Sequence, residues 1–444
     1  MAYRIAPHDI TSRGTAKQAL IEAIKSKRAG VGIVGLGYVG LPLATSFSEA
    51  GYHTIGFEID ESKARRINEN QTSARSPVVV EMLARKRLRA TTDFREIKEC
   101  DCIIICVPTP LTDTLDPDLS HIRAAVQQVK KHLRPGQLIV LESTTYPGCT
   151  DELLLAELTQ TGLELDRDFF VAFSPERVDP GNRDFGIANT PRIVGGCSPD
   201  SAEAAEALYT AITPNVKVVS STRVAETAKV LENTFRAVNI ALVNEMALIC
   251  REMDIDIWEV IDAAKTKPYG FMPFYPGPGV GGHCIPIDPA YLSWKGKQFG
   301  VESRFIRLAQ QINDAMPKHV VRLVTEGLNV DGKPLRGARI LLIGVAYKPD
   351  VDDMRESPAL EIIKLLRDQQ ADVSYHDPFV ARLDAEHASV ALDDIVLQNA
   401  DCVVIVTAHT GVDHKFIGER AKLIVDTRNV IPKDLPTKAR VIRL

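Results

Sequence analysis

A chain of 444 residues is too long for one hydrophobic core, so two or three domains are expected. With 45% hydrophobic and 25% charged residues it has the make-up of a soluble globular protein, and a net charge of −5 without a dense basic run argues against nucleic acid as the main partner. The eight cysteines show neither a paired framework nor metal-ligand spacing, which excludes a disulfide scaffold and a structural zinc and fits the reducing cytoplasm.

The N-terminus lacks the apolar core of a signal peptide and no run approaches membrane-spanning length, so no membrane partner is expected. Residues from about Ala16 to Lys25 read as a short amphipathic helix with Ala19, Leu20 and Ile24 on one side. From Val31 a short strand runs into Gly35-x-Gly37-x-x-Gly40, followed by a helical pattern to about Ala50 and a second strand, His53 to Phe57, ending at Glu58. This is the order of a dinucleotide-binding turn: the first glycine makes the turn, the second admits a pyrophosphate, and the third lets helix and strand pack. An acid about 20 residues further on accepts the ribose hydroxyls and repels an extra phosphate, so NAD is the expected cofactor.

Further strands follow at Asp101 to Val107, Gln137 to Leu141 and Phe169 to Phe173, with Ile122 to Leu133 helical between them. They end in Pro108-Thr109-Pro110, in Glu142-Ser143-Thr144-Thr145 and in Ser174-Pro175-Glu176-Arg177. Ligands of open parallel sheets lie beyond the carboxyl ends of the strands, which places Thr109, Thr144 and Glu176 to face one, although each taken singly reads first as an ordinary turn residue. Arg223 to Met253 is one long helical pattern, a spine between domains and a dimer contact, with an apolar stripe of Val224, Ala228, Leu231, Phe235, Val238 and Leu242. Lys229 and Asn233 share a face beside that stripe, and alone they read as solvated surface.

The segment from Gly277 to Pro289 carries four glycines and three prolines, which forbid a regular helix or strand. One thiol, Cys284, sits in its middle with Asp288 four residues on, the pattern of an active-site loop; a tight turn with a merely buried cysteine stays open. A second α/β unit begins at Arg339, with strands Arg339 to Gly344, Asp372 to Tyr375, Asp401 to Val406 and Leu423 to Asp426, and helix Leu360 to Gln370. Gly344-Val345-Ala346-Tyr347 stands where the glycine triplet would be, so this half holds a nucleotide-like group differently, with Lys348, Arg355 and Arg428 as candidate anion contacts.

Taken together, Gly35-Leu36-Gly37-Tyr38-Val39-Gly40, Cys106-Val107-Pro108-Thr109-Pro110, Ser143-Thr144, Ser174-Pro175-Glu176-Arg177, Lys229-x-x-x-Asn233, Gly281-Gly282-His283-Cys284 and Tyr347-Lys348 with Arg355-Glu356-Ser357 resemble the UDP-glucose/GDP-mannose dehydrogenase family over nearly the whole chain. The segments around Asn233 and Asp288 resemble its branch acting on UDP-N-acetylhexosamines. The resemblance implies an α/β fold of two Rossmann-like doubly wound parallel-sheet domains joined by a central helical domain. The implied division is 1–215 for NAD, 216–325 for dimerisation and the cysteine loop, and 326–444 for the UDP-sugar. It implies a four-electron oxidation of the sugar C6 alcohol to a carboxylate for polysaccharide precursor synthesis. UDP-N-acetylglucosamine is the leading substrate, with UDP-N-acetylmannosamine, UDP-glucose and UDP-N-acetylgalactosamine as alternatives and a non-catalytic nucleotide-sugar sensor as the reading from another class.

By the same resemblance Cys284 is the nucleophile, Lys229 and Asn233 stabilise charge on the substrate oxygen, Asp288 and Glu176 serve acid–base and water chemistry, and Thr144 positions a water. Gly35, Gly37, Tyr38, Val39, Gly40, Glu58, Thr109, Thr144 and Arg355 fall on the cofactor. Glu176, Lys229, Asn233, Phe274, Tyr275, Gly281, Lys348 and Arg428 fall on the UDP-sugar. The chain departs from glucose-specific relatives at Pro180, His283 and Ile287, which favours a different C2 substituent.

Overall fold

The computed structural model describes residues 13–69, 71, 87–112, 114, 116–178 and 184–444; Pro180 lies outside them. The chain divides into two compact units, Met1–Leu231 and Glu232–Leu444.

The first unit is built on an eight-stranded sheet in the order β3-β2-β1-β4-β5-β6-β7-β8. The strands are β1 (Gly30–Val34), β2 (His53–Phe57), β3 (Leu88–Thr91), β4 (Cys102–Ile105), β5 (Gln137–Leu141), β6 (Phe169–Phe173), β7 (Arg192–Gly196) and β8 (Val216–Val219). β4, β5 and β6 are buried along their whole length, which is why their sequences are continuous apolar runs rather than alternating ones. Neighbours pair in parallel except β6 and β7, where Ala172 faces Gly196 and Phe173 faces Gly195 in antiparallel register. Strand order reverses between β1 and β4, and ligands of open α/β sheets bind at such a switch point. One face of the sheet is covered by Leu43, Phe47, Leu208 and Tyr209, joined by Leu20 and Ile24 from the N-terminal helix Arg13–Lys25. Lys17 fastens that helix to Asp200 (2.8 Å) and Glu203 (2.6 Å).

The helix Thr222–Glu252 covers the long helical pattern read from the sequence. Its apolar stripe is not the buried face: Leu231 is 59% and Leu242 53% exposed, and Val224, Phe235 and Ile249 are exposed as well. The buried face carries Ala225, Val230, Ala237 and Ala241 together with Glu226, Lys229, Asn233 and Asn244. Small side chains let neighbouring segments approach closely, and buried polar groups need specific partners. Glu226 finds its partners in the backbone N–H groups of Gly148 (2.5 Å) and Thr150 (2.8 Å) and in the Thr150 hydroxyl (2.7 Å).

The second unit contains a five-stranded parallel sheet, β10-β9-β11-β12-β13, from β9 (Arg339–Ile343), β10 (Asp372–His376), β11 (Cys402–Ile405), β12 (Leu423–Asp426) and β13 (Arg440–Arg443). The helices Arg304–Val330 and Pro358–Asp368 cover one face through Val320, Leu323, Val324, Ile362 and Leu366. At the first turn after β9 the amides of Val345 (2.7 Å) and Ala346 (3.1 Å) donate to Asp377 Oδ2. Backbone amides in such a turn are the ones a dinucleotide domain presents to phosphate. Here the protein's own carboxylate fills the place.

Asp377 also accepts from the amides of Phe379 (2.8 Å) and Val380 (3.0 Å) and lies 3.0 Å from His409 Nε2. Burial pushes its pKa up, but the hydrogen bonds from His409 and the backbone outweigh that and bring it down to about 2. A carboxyl depressed in the folded state stabilises the fold above its ordinary pKa and loses that contribution as pH falls toward the folded value. The stabilisation at pH 7 should be on the order of 2 kcal/mol, fading between about pH 4 and pH 2. Asp377→Asn should lower stability by about 3 kcal/mol at pH 7 and flatten its acid dependence. Urea melts from pH 2 to 7 test this, and an unchanged midpoint with an unchanged slope against pH would refute it.

Candidate active site

The glycine turn after β1 has the shape a dinucleotide requires. Gly35 has a φ of 93°, and a Cβ on it would stand 2.8 Å from the carbonyl oxygen of Cys106. A Cβ on Gly40 would stand 1.9 Å from the Gly35 oxygen, so helix and strand can meet only without one. Above Gly37 nothing lies within 4 Å of that position, leaving the turn open for a ligand backbone. Tyr38 is exposed and Val39 half-buried beside the turn; Thr109 is buried beyond β4, and Thr144 half-buried beyond β5. Glu58 ends β2 with one carboxylate oxygen accepting the Ile59 amide (2.9 Å) and the other paired with Lys63 (2.6 Å). These residues fit a dinucleotide with free ribose hydroxyls. Glu176, beyond β6, accepts from the amides of Arg177 (2.8 Å) and Val178 (2.6 Å) and pairs with Arg192 (2.9 Å).

Lys229 and Asn233, which alone read as surface, are 8% and 5% exposed. The Asn233 amide donates to Asp288 Oδ2, joining the long helix to the cysteine loop within the second unit. Asp288 is 2% exposed and opens the helix Asp288–Gln298, and its N–H donates to the Cys284 carbonyl at 2.9 Å. That turn leads the half-buried Cys284 straight into the helix. On its other side the loop is sealed by glycines. Gly282 has a φ of 86°, its N–H donates to the Arg355 carbonyl (2.9 Å), and a Cβ on it would sit 2.8 Å from the Tyr347 ring. Gly281 packs likewise against the Glu356 carbonyl, 2.7 Å from a would-be Cβ, so the missing side chain serves loop packing. Burial, with the charge of Arg355 adding to it, lowers the pKa of His283 and keeps the ring neutral.

The candidate nucleotide contacts are placed individually. Arg428 donates from Nε to the Val406 carbonyl (2.7 Å), a Cβ on Gly277 would lie 2.7 Å from its Nη1, and burial brings its pKa down to about 10. Lys348 is half-buried. The Arg355 guanidinium is held by Asp353, at 3.0 Å from Nε to Oδ1 and 2.6 Å from Nη2 to Oδ2. Phe274 packs edge-on against Phe235 with ring centroids 5.7 Å apart, and Tyr275 stacks on Trp258 at 5.9 Å.

Sequence reasoning missed an amide chain that fixes the loop entrance. The Gly277 N–H donates to Asn244 Oδ1 (2.9 Å), Asn244 Nδ2 donates to Asn313 Oδ1 (3.0 Å), and Asn313 Nδ2 donates to the Ala237 carbonyl (3.2 Å). An asparagine amid helix-forming residues gives no outward signal of burial, so only three-dimensional packing reveals this chain. Among the described residues no cluster of three or more His, Cys, Asp or Glu side chains could hold a metal ion, and no helix is long and apolar enough to cross a membrane.

Comparison with known proteins places most of the chain. Residues 29–213 match the NAD binding domain of the UDP-glucose/GDP-mannose dehydrogenase family, 223–315 its central domain and 341–433 its UDP binding domain. The chain is 36% identical over 411 residues to UDP-N-acetyl-D-mannosamine dehydrogenase of Pyrococcus horikoshii, covering 90% of this chain and 96% of that protein. It is also 36% identical over 359 residues to UDP-N-acetyl-D-glucosamine 6-dehydrogenase of Pseudomonas aeruginosa, covering 80% and 84%. The solved structure of the Pyrococcus horikoshii UDP-D-ManNAc dehydrogenase superposes with a TM-score of 0.85 at 35% identity, over 93% of this chain and 98% of that one.

Proposed function

From the premise that this chain belongs to the UDP-glucose/GDP-mannose dehydrogenase family, as an NAD-dependent nucleotide-sugar dehydrogenase, we propose that it oxidises the C6 alcohol of UDP-N-acetylglucosamine to the uronic acid. The observation that carries the chemistry is the buried Asn233–Asp288 pair one helical turn from a half-buried thiol. NAD, when bound, supplies the hydride acceptor for the two oxidation steps. The chain's own groups do the rest. Cys284 Sγ adds to the C6 aldehyde to form a thiohemiacetal, whose oxidation gives a thioester that water cleaves to the free acid. Lys229 Nζ, with Asn233 beside it, stabilises negative charge on the substrate oxygen. Asp288, held by Asn233, takes a proton from the attacking water, with Glu176 and Thr144 ordering that water. Gly35, Gly37, Tyr38, Val39, Gly40, Glu58, Thr109 and Arg355 hold the cofactor, and Phe274, Tyr275, Gly281, Lys348 and Arg428 hold the UDP-sugar.

The proposed working division is 1–215 for NAD, 216–325 for the cysteine loop and dimerisation, and 326–444 for the UDP-sugar, with the cytoplasm as the setting. A second reading, UDP-N-acetylmannosamine as substrate, is favoured by the likeness to the Pyrococcus horikoshii protein in both sequence and structure. NADH formed per sugar consumed, over a panel of UDP-GlcNAc, UDP-ManNAc, UDP-GalNAc and UDP-glucose, separates the two. Two NADH per UDP-GlcNAc with little from the others is expected; the same yield from UDP-ManNAc alone transfers the assignment, and none from any sugar removes it.

The proposed assembly is a homodimer through the exposed stripe of the Thr222–Glu252 helix, where Val224, Leu231, Phe235, Leu242 and Ile249 leave apolar area to cover. Each such side chain contributes about 1.5–3 kcal/mol when fully buried. Leu231→Glu combined with Leu242→Glu should yield a folded monomer in sedimentation velocity; a dimer surviving both changes would place the interface elsewhere.

A further inference from the structure

The antiparallel strand β7 has a consequence for Glu176. Because β7 runs against β6, its first residue stands at the carboxyl edge of the sheet, where open α/β sheets bind their ligands, rather than at the opposite edge. Continuing the register that pairs Phe173 with Gly195 sets Arg192 opposite Glu176. Arg192 is 3% exposed, and its two terminal nitrogens reach different segments: Nη2 pairs with Glu176 Oε2 at 2.9 Å and Nη1 with Glu142 Oε1 at 2.7 Å. Glu142 directly follows β5, two residues before Thr144. The Tyr209 hydroxyl donates to the other Glu142 oxygen at 2.6 Å, and the Arg192 guanidinium lies 4.9 Å from the centre of the Tyr209 ring.

We propose that Arg192 is a positioning residue that fixes the Glu176 carboxylate, and that Glu142 and Tyr209 are its anchor. A planar fork can span the tips of two strands in one geometry, which a single ammonium cannot. Burial raises the pKa of Glu142 to about 7 against the pull of Arg192, with the charge of Glu176 pushing the same way as burial. Both carboxylates are buried enough that a misplaced guanidinium would leave one without its donor. Of this chain of contacts only Glu176 belongs to a motif, since Arg192 opens an ordinary apolar strand.

The inference rests on the proposed role of Glu176, so the test is a double-mutant cycle with NADH formation as readout, on the UDP-sugar that the panel identifies. Arg192→Lys should lower kcat by about 10- to 100-fold, the scale expected for a displacement near 1 Å, with KM for both substrates within about two-fold. In a Glu176→Gln background the same change should cost no further activity. NADH binding, followed by its own fluorescence, should stay within about two-fold throughout. Full kcat in Arg192→Lys, or an equal loss with and without Glu176, overturns the proposal while leaving Glu176 in its role. Full kcat in Glu176→Gln alone removes the role of Glu176 and the proposal with it. Should Arg192→Lys not fold, Glu142→Gln carries the test, because it removes a buried charge instead of stranding one. A several-fold fall in kcat that vanishes in the Glu176→Gln background is expected there, and full kcat or a background-independent loss overturns the proposal.

Discussion

Replacing Cys284 with Ser is expected to abolish formation of the free acid, lowering its steady-state rate on the order of 10³-fold or more. The alcohol oxygen of serine is a far weaker nucleophile toward an aldehyde than a thiol, and it gives an ester rather than a thioester for water to cleave. The backbone should be undisturbed, because serine is nearly isosteric with cysteine and the carbonyl of residue 284 still accepts from the Asp288 amide. The sharpest readout is stoichiometry: NADH per sugar falls from two to at most one, and product analysis finds no uronic acid. Acid made at the normal rate by this variant would end the covalent mechanism.

Lys229→Ala should lower kcat by about 10²–10³-fold, the range found when one donor to a developing oxyanion is removed. A lysine at 8% exposure on the packed face of a helix is costly to keep unless its charge is used, because ammonium groups desolvate poorly. Truncation should therefore leave the thermal midpoint close to that of the parent while turnover collapses. Steady-state kinetics with a parallel melting curve decide it. Undiminished turnover would return Lys229 to a structural part, and a collapse of both quantities would make its role one of folding.

Much of this was legible before any coordinates, and the failures have physical causes. β2, β5, β6 and β12 fall on the expected residues because their buried apolar or β-branched cores are closed by turn or acidic residues. β3, β8 and β13 escaped notice since Arg89, Lys217 and the arginines at both ends of Arg440–Arg443 break that signal at edge positions. The long helix shows a subtler limit. Periodicity located its apolar stripe, yet could not tell that the chain's own core takes the opposite face, built from alanines and polar groups. For the site, motif reading found the thiol, the lysine and the carboxylates, whose side chains carry the chemistry. It missed Arg192, Glu142, Asn244 and Asn313, which act by contact with those groups and have no spacing of their own.

The distribution of the thiols makes the molecule countable. Six of the eight cysteines are buried, and burial raises the pKa of the half-buried Cys197 beside Asp151, so the half-buried Cys284 is the thiol expected to react first with an alkylating reagent. A stoichiometric thiol reagent applied to the native protein thus works as an active-site titrant. The moles of label taken up equal the moles of competent loops in a preparation, so rates of every variant can be referred to live sites instead of total protein.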